Sequence, residues 1–129
     1  MDRFEERLDQ ARKALAALHE LTALRQPSVV QRDALLLRFM LATEAIWKAA
    51  QRHLQEEHEI EVGSPRETLR ATLAIGGLDA EQAEKVLLLL RDRNLVVHTY
   101  NEKLADEVVS RIPAHAVLLE AWLVGLKRA

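Results

Sequence analysis

The chain has 129 residues, 49% hydrophobic and 29% charged, with a formal net charge of −2 and no cysteine. These values exclude a disordered polymer, a disulfide-stapled module, a thiolate metal site and a protein that holds nucleic acid through gross positive charge. The length fits one domain over residues 1–129, and an apolar mass of Leu, Ala and Val with three prolines and four glycines favours helices.

The charged opening "MDRFEERLDQ" does not read as a signal peptide. No apolar run approaches the ~20 residues of a bilayer span, so the expectation is a soluble, cytoplasmic protein with no membrane partner. Phe4, Leu8, Ala11, Leu15, Leu18 and Thr22 form one stripe of a first amphipathic helix. It should end near "RQPS", because Pro27 disfavours helical geometry at Gln26. Ser28 is the expected N-cap of a long second helix, "VVQRDALLLRFMLATEAIWKAAQRHLQEEH". Its stripe takes in Val29, Leu36, Met40, Trp47, Ala50 and Leu54, broadened by Leu37 and Leu41. Glu44 falls inside that stripe. It is either paired with an arginine of a neighbouring helix or part of a site, and periodicity does not separate the two.

In "EVGSPRE", Ser64 as N-cap, Pro65 at the first helical position and Glu67 predict a capping box and a third helix to about Ile75. Gly76 and Gly77 should end it. Asp79, with Gln82 three residues on, caps a fourth helix that carries "AEKVLLLLRDRNLVVH". Asn101 caps a fifth, in which Pro113 should produce a kink or a split. The reading is an all-α, antiparallel four-to-five-helix bundle with short connections.

The stretch "RDRNLVVHTY" concentrates polar groups on a helix that should be leaving water. At about 100° per residue, Ala83, Val86, Leu90 and Val97 share one side of the fourth helix, and Leu88 and Leu95 lie opposite. A helix apolar on two sides is buried on two sides, so a homodimer covering the Leu88/Leu95 side is expected. Asn94 and His98 share a face with Arg91. Arg93 and Tyr100 share another, rotated about 140° from His98. A histidine takes and gives protons near neutral pH, and an arginine clamps phosphate. RNA carries its own nucleophile, the 2′-hydroxyl, so a base plus a clamp can in principle cut it. The competing view gives the same residues structural work. Asp92 and the two arginines would then make interhelical salt bridges, with His98 at an interface.

Motifs beyond this pair bear on the choice. "RNLVVHTYNE" matches the Arg-x-x-x-x-His-x-Tyr form of the HEPN motif, "RFMLATEAIWK" the long-helix signature and "GSPRE" the inter-helix turn. Together they resemble the HEPN toxins encoded beside minimal nucleotidyltransferase (MNT) antitoxins, the group often called nucleotidyltransferase substrate-binding proteins. The resemblance spans about residues 30–112. It implies a helical homodimer with a cleft lined by both motifs, where Arg93 and His98 could meet in trans. It implies Arg93 and His98 as a metal-independent ribonuclease pair, Asn94 as their polar companion and Tyr100 as the tyrosine that the antitoxin adenylylates. Asp92 matches a recurrent acidic neighbour, and Glu44, Trp47 and Lys48 the long-helix signature. The implied partners are an MNT antitoxin and an RNA substrate, with no cofactor and no bound metal. The alternative is a catalytically silent subunit that docks a nucleotidyltransferase and presents Tyr100 or a nucleotide to it. The other histidines, His19, His53, His58 and His115, are expected at the surface or in caps, and Trp47 and Trp122 as core anchors.

Overall fold

The computed structural model describes residues 3–98 and 101–128. Among them the chain forms five helices and no strand: α1 (Arg3–His19), α2 (Val29–His58), α3 (Pro65–Ala74), α4 (Ala80–His98) and α5 (Glu102–Arg128). The caps follow the sequence closely. Ser28 and Gln31 bond reciprocally to each other's backbone at the start of α2, as do Asp79 and Gln82 before α4. Asn101 Oδ1 accepts from the Leu104 amide and opens α5. At α3 the box is only half formed. Ser64 caps the Glu67 amide, but the Glu67 carboxylate accepts from Gly63. Gly76 adopts φ +83° and ends α3 in the left-handed region.

Two boundaries differ from expectation. Helix α1 ends at His19, well before "RQPS". The Thr22 hydroxyl and amide both reach the His19 carbonyl, and Leu21 bonds to Leu18, so the last turn tightens before the proline is reached. Helix α5 is neither split nor ended by Pro113. Pro113 is exposed, so the Val109 carbonyl that it leaves without an N–H partner sits on the wetter side of the helix.

One core cluster draws on all five helices, with Phe39, Ile46, Val86, Leu89, Ile112, Leu119 and Trp122 fully buried. Trp47 also packs there, as expected. Helix α2 is the central element, in contact with each of the other four. Its buried face runs through Leu35, Leu36, Phe39, Ile46 and Ala50, while Val29, Leu37 and Leu41 are exposed. The predicted stripe was therefore too wide. On α4, Val97 is exposed and Val96 packs against the core instead, because the final turn runs past the last fully buried apolar position, Leu90.

Two contacts fix the frame around α4. Gly125 of α5 lies so close to the α3–α4 turn that an added Cβ would meet the Gly77 carbonyl oxygen at 1.8 Å, so only glycine fits there. Trp122 Nε1 donates to Thr72 Oγ1 at 3.3 Å, tying α5 to α3. By length and composition alone Glu102–Lys127 could cross a bilayer, contrary to the reading that no segment qualifies. In the fold its apolar side, carrying Val108, Ile112, Leu119, Trp122 and Leu126, is buried against the other helices.

Candidate functional site

The polar half of α4 is held down by its neighbours. Asp92, placed two residues beyond the buried Leu90, is only 5% exposed. Arg111 of α5 grips it with two hydrogen bonds, Nε to Oδ2 and a terminal nitrogen to Oδ1, each 2.8 Å. His115 Nε2 stands 2.7 Å from Oδ2, its ring stacked on Phe39. Burial pushes the Asp92 carboxyl up. The hydrogen bonds from Arg111 and His115, and then their charges, outweigh burial and hold it below the usual carboxylate range. The bond to Asp92 raises Arg111 above its ordinary value. His115 is thus a buried partner, not the surface or cap residue expected, and Asp92 makes an interhelical salt bridge, as the structural view of the motif had it, with Arg111 of α5.

This arrangement sets an expectation for stability. The ionised Asp92 stabilises the fold at pH values above about 3.9, its unfolded value. That contribution is lost as pH falls through the lower folded value. Asp92→Asn should therefore cost about 3 kcal/mol near neutral pH, the low end for a broken buried pair, since Arg111 is 45% exposed and keeps some water. Chemical denaturation of both proteins at several pH values checks this: the gap should shrink below pH ~4.

Arg93 points to the other side of α4. One terminal nitrogen donates to Asn94 Oδ1 and the other to Glu44 Oε2, both at 2.9 Å. Lys48 Nζ lies 3.8 Å from the second Glu44 oxygen. Both readings of Glu44 therefore meet in one contact: it pairs with an arginine of a neighbouring helix, and that arginine belongs to the motif. His98 is exposed in the last turn of α4. Tyr100 lies outside the described residues.

Arg93 and His98 do not share a cavity within the chain. Arg93 lines one of about 220 Å³ with Ser64, Pro65, Arg66, Leu90 and Asn94. His98 lines another of about 250 Å³ with Arg66, Arg91, Asn94 and Leu95. Asn94 and Arg66 line both, so the two cavities adjoin. The loop after α2 brings the α3 start to this place. Glu59 turns the chain in a left-handed conformation, and Gln51 Nε2 donates to the Val62 carbonyl at 2.7 Å.

On the α5 side lies a larger groove of about 530 Å³, walled by Leu88, Leu95, Leu104 and Leu118, with Asp92 and Arg111 also in its lining. Leu88 is 57% exposed there. The second apolar side of α4 is thus left open by the chain's own helices.

Sequence reasoning missed Arg66, Arg111 and His115. Arg66 sits within the quoted "GSPRE" turn, and Arg111 and His115 lie four apart on one helix face. Their positions were visible, but their partner on another helix was not.

The family model described as nucleotidyltransferase substrate binding protein like matches residues 6–128. A Thermus thermophilus protein of known crystal structure is 45% identical, with a TM-score of 0.86 over 92% of this chain and 99% of that one. The tri-AMPylated HEPN toxin of Shewanella oneidensis, solved in complex with its MNT antitoxin, superposes with a TM-score of 0.80 at 15% identity, covering all of both chains. A mutant of the MntA-HpeT toxin–antitoxin pair gives a TM-score of 0.76 at 14% identity, over 99% of this chain and 100% of that one. At that identity the last two show a common fold. Among curated proteins no match is found.

Proposed function

This chain belongs to the nucleotidyltransferase substrate binding protein family, whose fold is that of HEPN toxins, and we propose that it is the toxin of a toxin–antitoxin pair: a metal-independent endoribonuclease of the cytoplasm, silenced by a minimal nucleotidyltransferase. The observation that carries this reading is the shared wall. Asn94 and Arg66 line both the Arg93 and the His98 cavity, so one phosphodiester chain laid across them reaches clamp and base together.

In this reading His98 removes the proton from a 2′-hydroxyl. The 2′-oxygen attacks the neighbouring phosphorus, the bond to the 5′-oxygen breaks, and that oxygen takes a proton from water. The product ends are a 2′,3′-cyclic phosphate and a 5′-hydroxyl. Arg93 neutralises the charge that builds on the phosphoryl oxygens. Glu44 is a positioning residue, holding one guanidinium nitrogen at 2.9 Å and leaving other N–H groups for phosphate. Asp92 acts further back, fixing the α4 backbone beneath Arg93. A homodimer that covers Leu88 and the α4–α5 groove gives the open apolar side of α4 a partner.

The catalytically silent docking subunit draws on a different observation: within one protomer Arg93 is held by Glu44 and its cavity is not that of His98. Cells separate the two. Under the ribonuclease reading, induction of the chain alone arrests growth, and co-expression of the cognate nucleotidyltransferase restores it. Harmless expression without the partner favours the docking subunit.

A further inference from the structure

Charge around the motif is sorted in a way that the net charge of −2 conceals. The described walls of the Arg93 and His98 cavities hold Arg93, Arg66, Arg91 and His98, and no acidic side chain. Glu44, the carboxylate that Arg93 contacts, already faces two cations, Arg93 and Lys48, and Asp92 is taken by Arg111 and His115. The Glu67 carboxylate, adjacent in sequence to Arg66, is occupied by the Gly63 amide at 3.1 Å. Among the described residues neither Arg66 nor Arg91 has a carboxylate partner. Two exposed arginines without counter-ions, 25 residues apart in sequence, converge on Asn94.

Other described arginines, Arg70 among them, also lack a carboxylate partner; what sets Arg66 and Arg91 apart is that they line one cavity together with His98. Cations gathered on walls that hold no acidic side chain leave a local positive field suited to an anion. One phosphate at Arg93 would not use this cluster fully, because Arg66 faces the His98 side as well. A polyanion with successive phosphates would.

We infer that Arg66 is a second phosphate-binding residue, holding the backbone phosphate next to the one clamped by Arg93, on a single-stranded RNA that crosses the Asn94 wall with Arg91 beyond it. This deepens the ribonuclease reading and rests on it for the identity of the neighbouring phosphate. Its physical content is separate, since it concerns binding and not cleavage. An arginine suits the task because its planar fork takes two phosphoryl oxygens at once and keeps its charge at any pH of interest.

The test uses the wild-type chain and a fluorescent, unstructured 12-nucleotide RNA that is 2′-O-methylated throughout. The probe lacks the nucleophile, so no variant can cut it. Affinity is measured across a range of salt. For single strands the log–log slope changes by about 0.7 for each phosphate contact. Arg66→Ala should flatten the slope by about that amount per site, and Arg66→Lys should restore it. The control is Arg70→Ala, an exposed arginine on the same helix that lines neither cavity; it should leave the slope at the wild-type value. An unchanged slope in Arg66→Ala, an equal loss in Arg70→Ala, or a wild-type chain that does not hold the probe would each overturn the inference. Unmodified RNA, assayed separately, keeps the two claims apart. Arg66-dependent binding without any cleavage retains this site and removes the ribonuclease reading. Cleavage with no Arg66 dependence does the reverse.

Discussion

Replacing His98 by alanine is expected to slow RNA cleavage by about 10²–10⁴-fold, the usual contribution of a positioned general base. Removing the Arg93 guanidinium should cost about 10²–10³-fold, the range for losing one group that stabilises a developing oxyanion. Both variants should remain folded. His98 is exposed in the last turn of α4 and supports no core contact. Arg93 is part-buried and bonded to Glu44 and Asn94, so its loss leaves Glu44 facing Lys48 alone, 3.8 Å away. Light scattering should give both variants the same mass as the parent. Glu44→Gln discriminates further. If Glu44 only positions the guanidinium, this variant should keep more activity than Arg93→Ala. A His98→Ala protein that cuts RNA at the parental rate would remove histidine from the mechanism and leave Arg93 and Arg66 as a binding surface.

The second large effect concerns Tyr100. The expected result is that a cognate nucleotidyltransferase, with ATP and magnesium, adds AMP to its hydroxyl and lowers cleavage to the level of the His98→Ala variant. In this step the tyrosyl oxygen bonds to the α-phosphorus of ATP and pyrophosphate leaves. Each phosphodiester brings a negative charge and a bulky base to the approach to the motif. The charge competes with RNA phosphate for the arginines, and the base narrows the path to His98. The three arginines on the Arg93 and His98 cavity walls, which hold no acidic side chain, are what such a modification would exploit. Far-ultraviolet circular dichroism should not change, since silencing is expected to act by charge and bulk and not by unfolding. Mass spectrometry of the digested protein locates the adduct, and Tyr100→Phe should lose both adduct and silencing. An adduct that maps elsewhere, or silencing that survives in Tyr100→Phe, would move the control point to another residue.

Much of the bundle was legible because its signals are local. Ser28, Ser64, Asp79 and Asn101 each bond within three residues of themselves, so a single sequence contains both partners. Errors arose where the partner is remote. The width of the α2 stripe depends on where its neighbours lie, and they leave Leu37 and Leu41 exposed. Pro113 breaks a helix only where its missing hydrogen bond goes unsolvated, and exposure is a tertiary property. The His115–Asp92–Arg111 cluster illustrates the same limit, since His115 lies 23 residues from its carboxylate. At the site, the motif spacing did indicate that Arg93 and His98 point apart, and the two cavities agree with that. Two residues join the cavities: Asn94, whose place beside His98 α4 periodicity did give, and Arg66, carried in by the turn before α3, which no periodicity within α4 could have supplied.

The central claim is that this chain cuts RNA with its own side chains and the RNA's own hydroxyl. The most direct measurement incubates purified protein with unmodified single-stranded RNA in excess EDTA and determines the chemistry of the new ends. The account predicts cleavage that persists in EDTA, with 2′,3′-cyclic phosphate and 5′-hydroxyl termini, and that falls away in His98→Ala. RNA left intact by a well-folded wild-type protein, or ends carrying a 5′-phosphate, would contradict it.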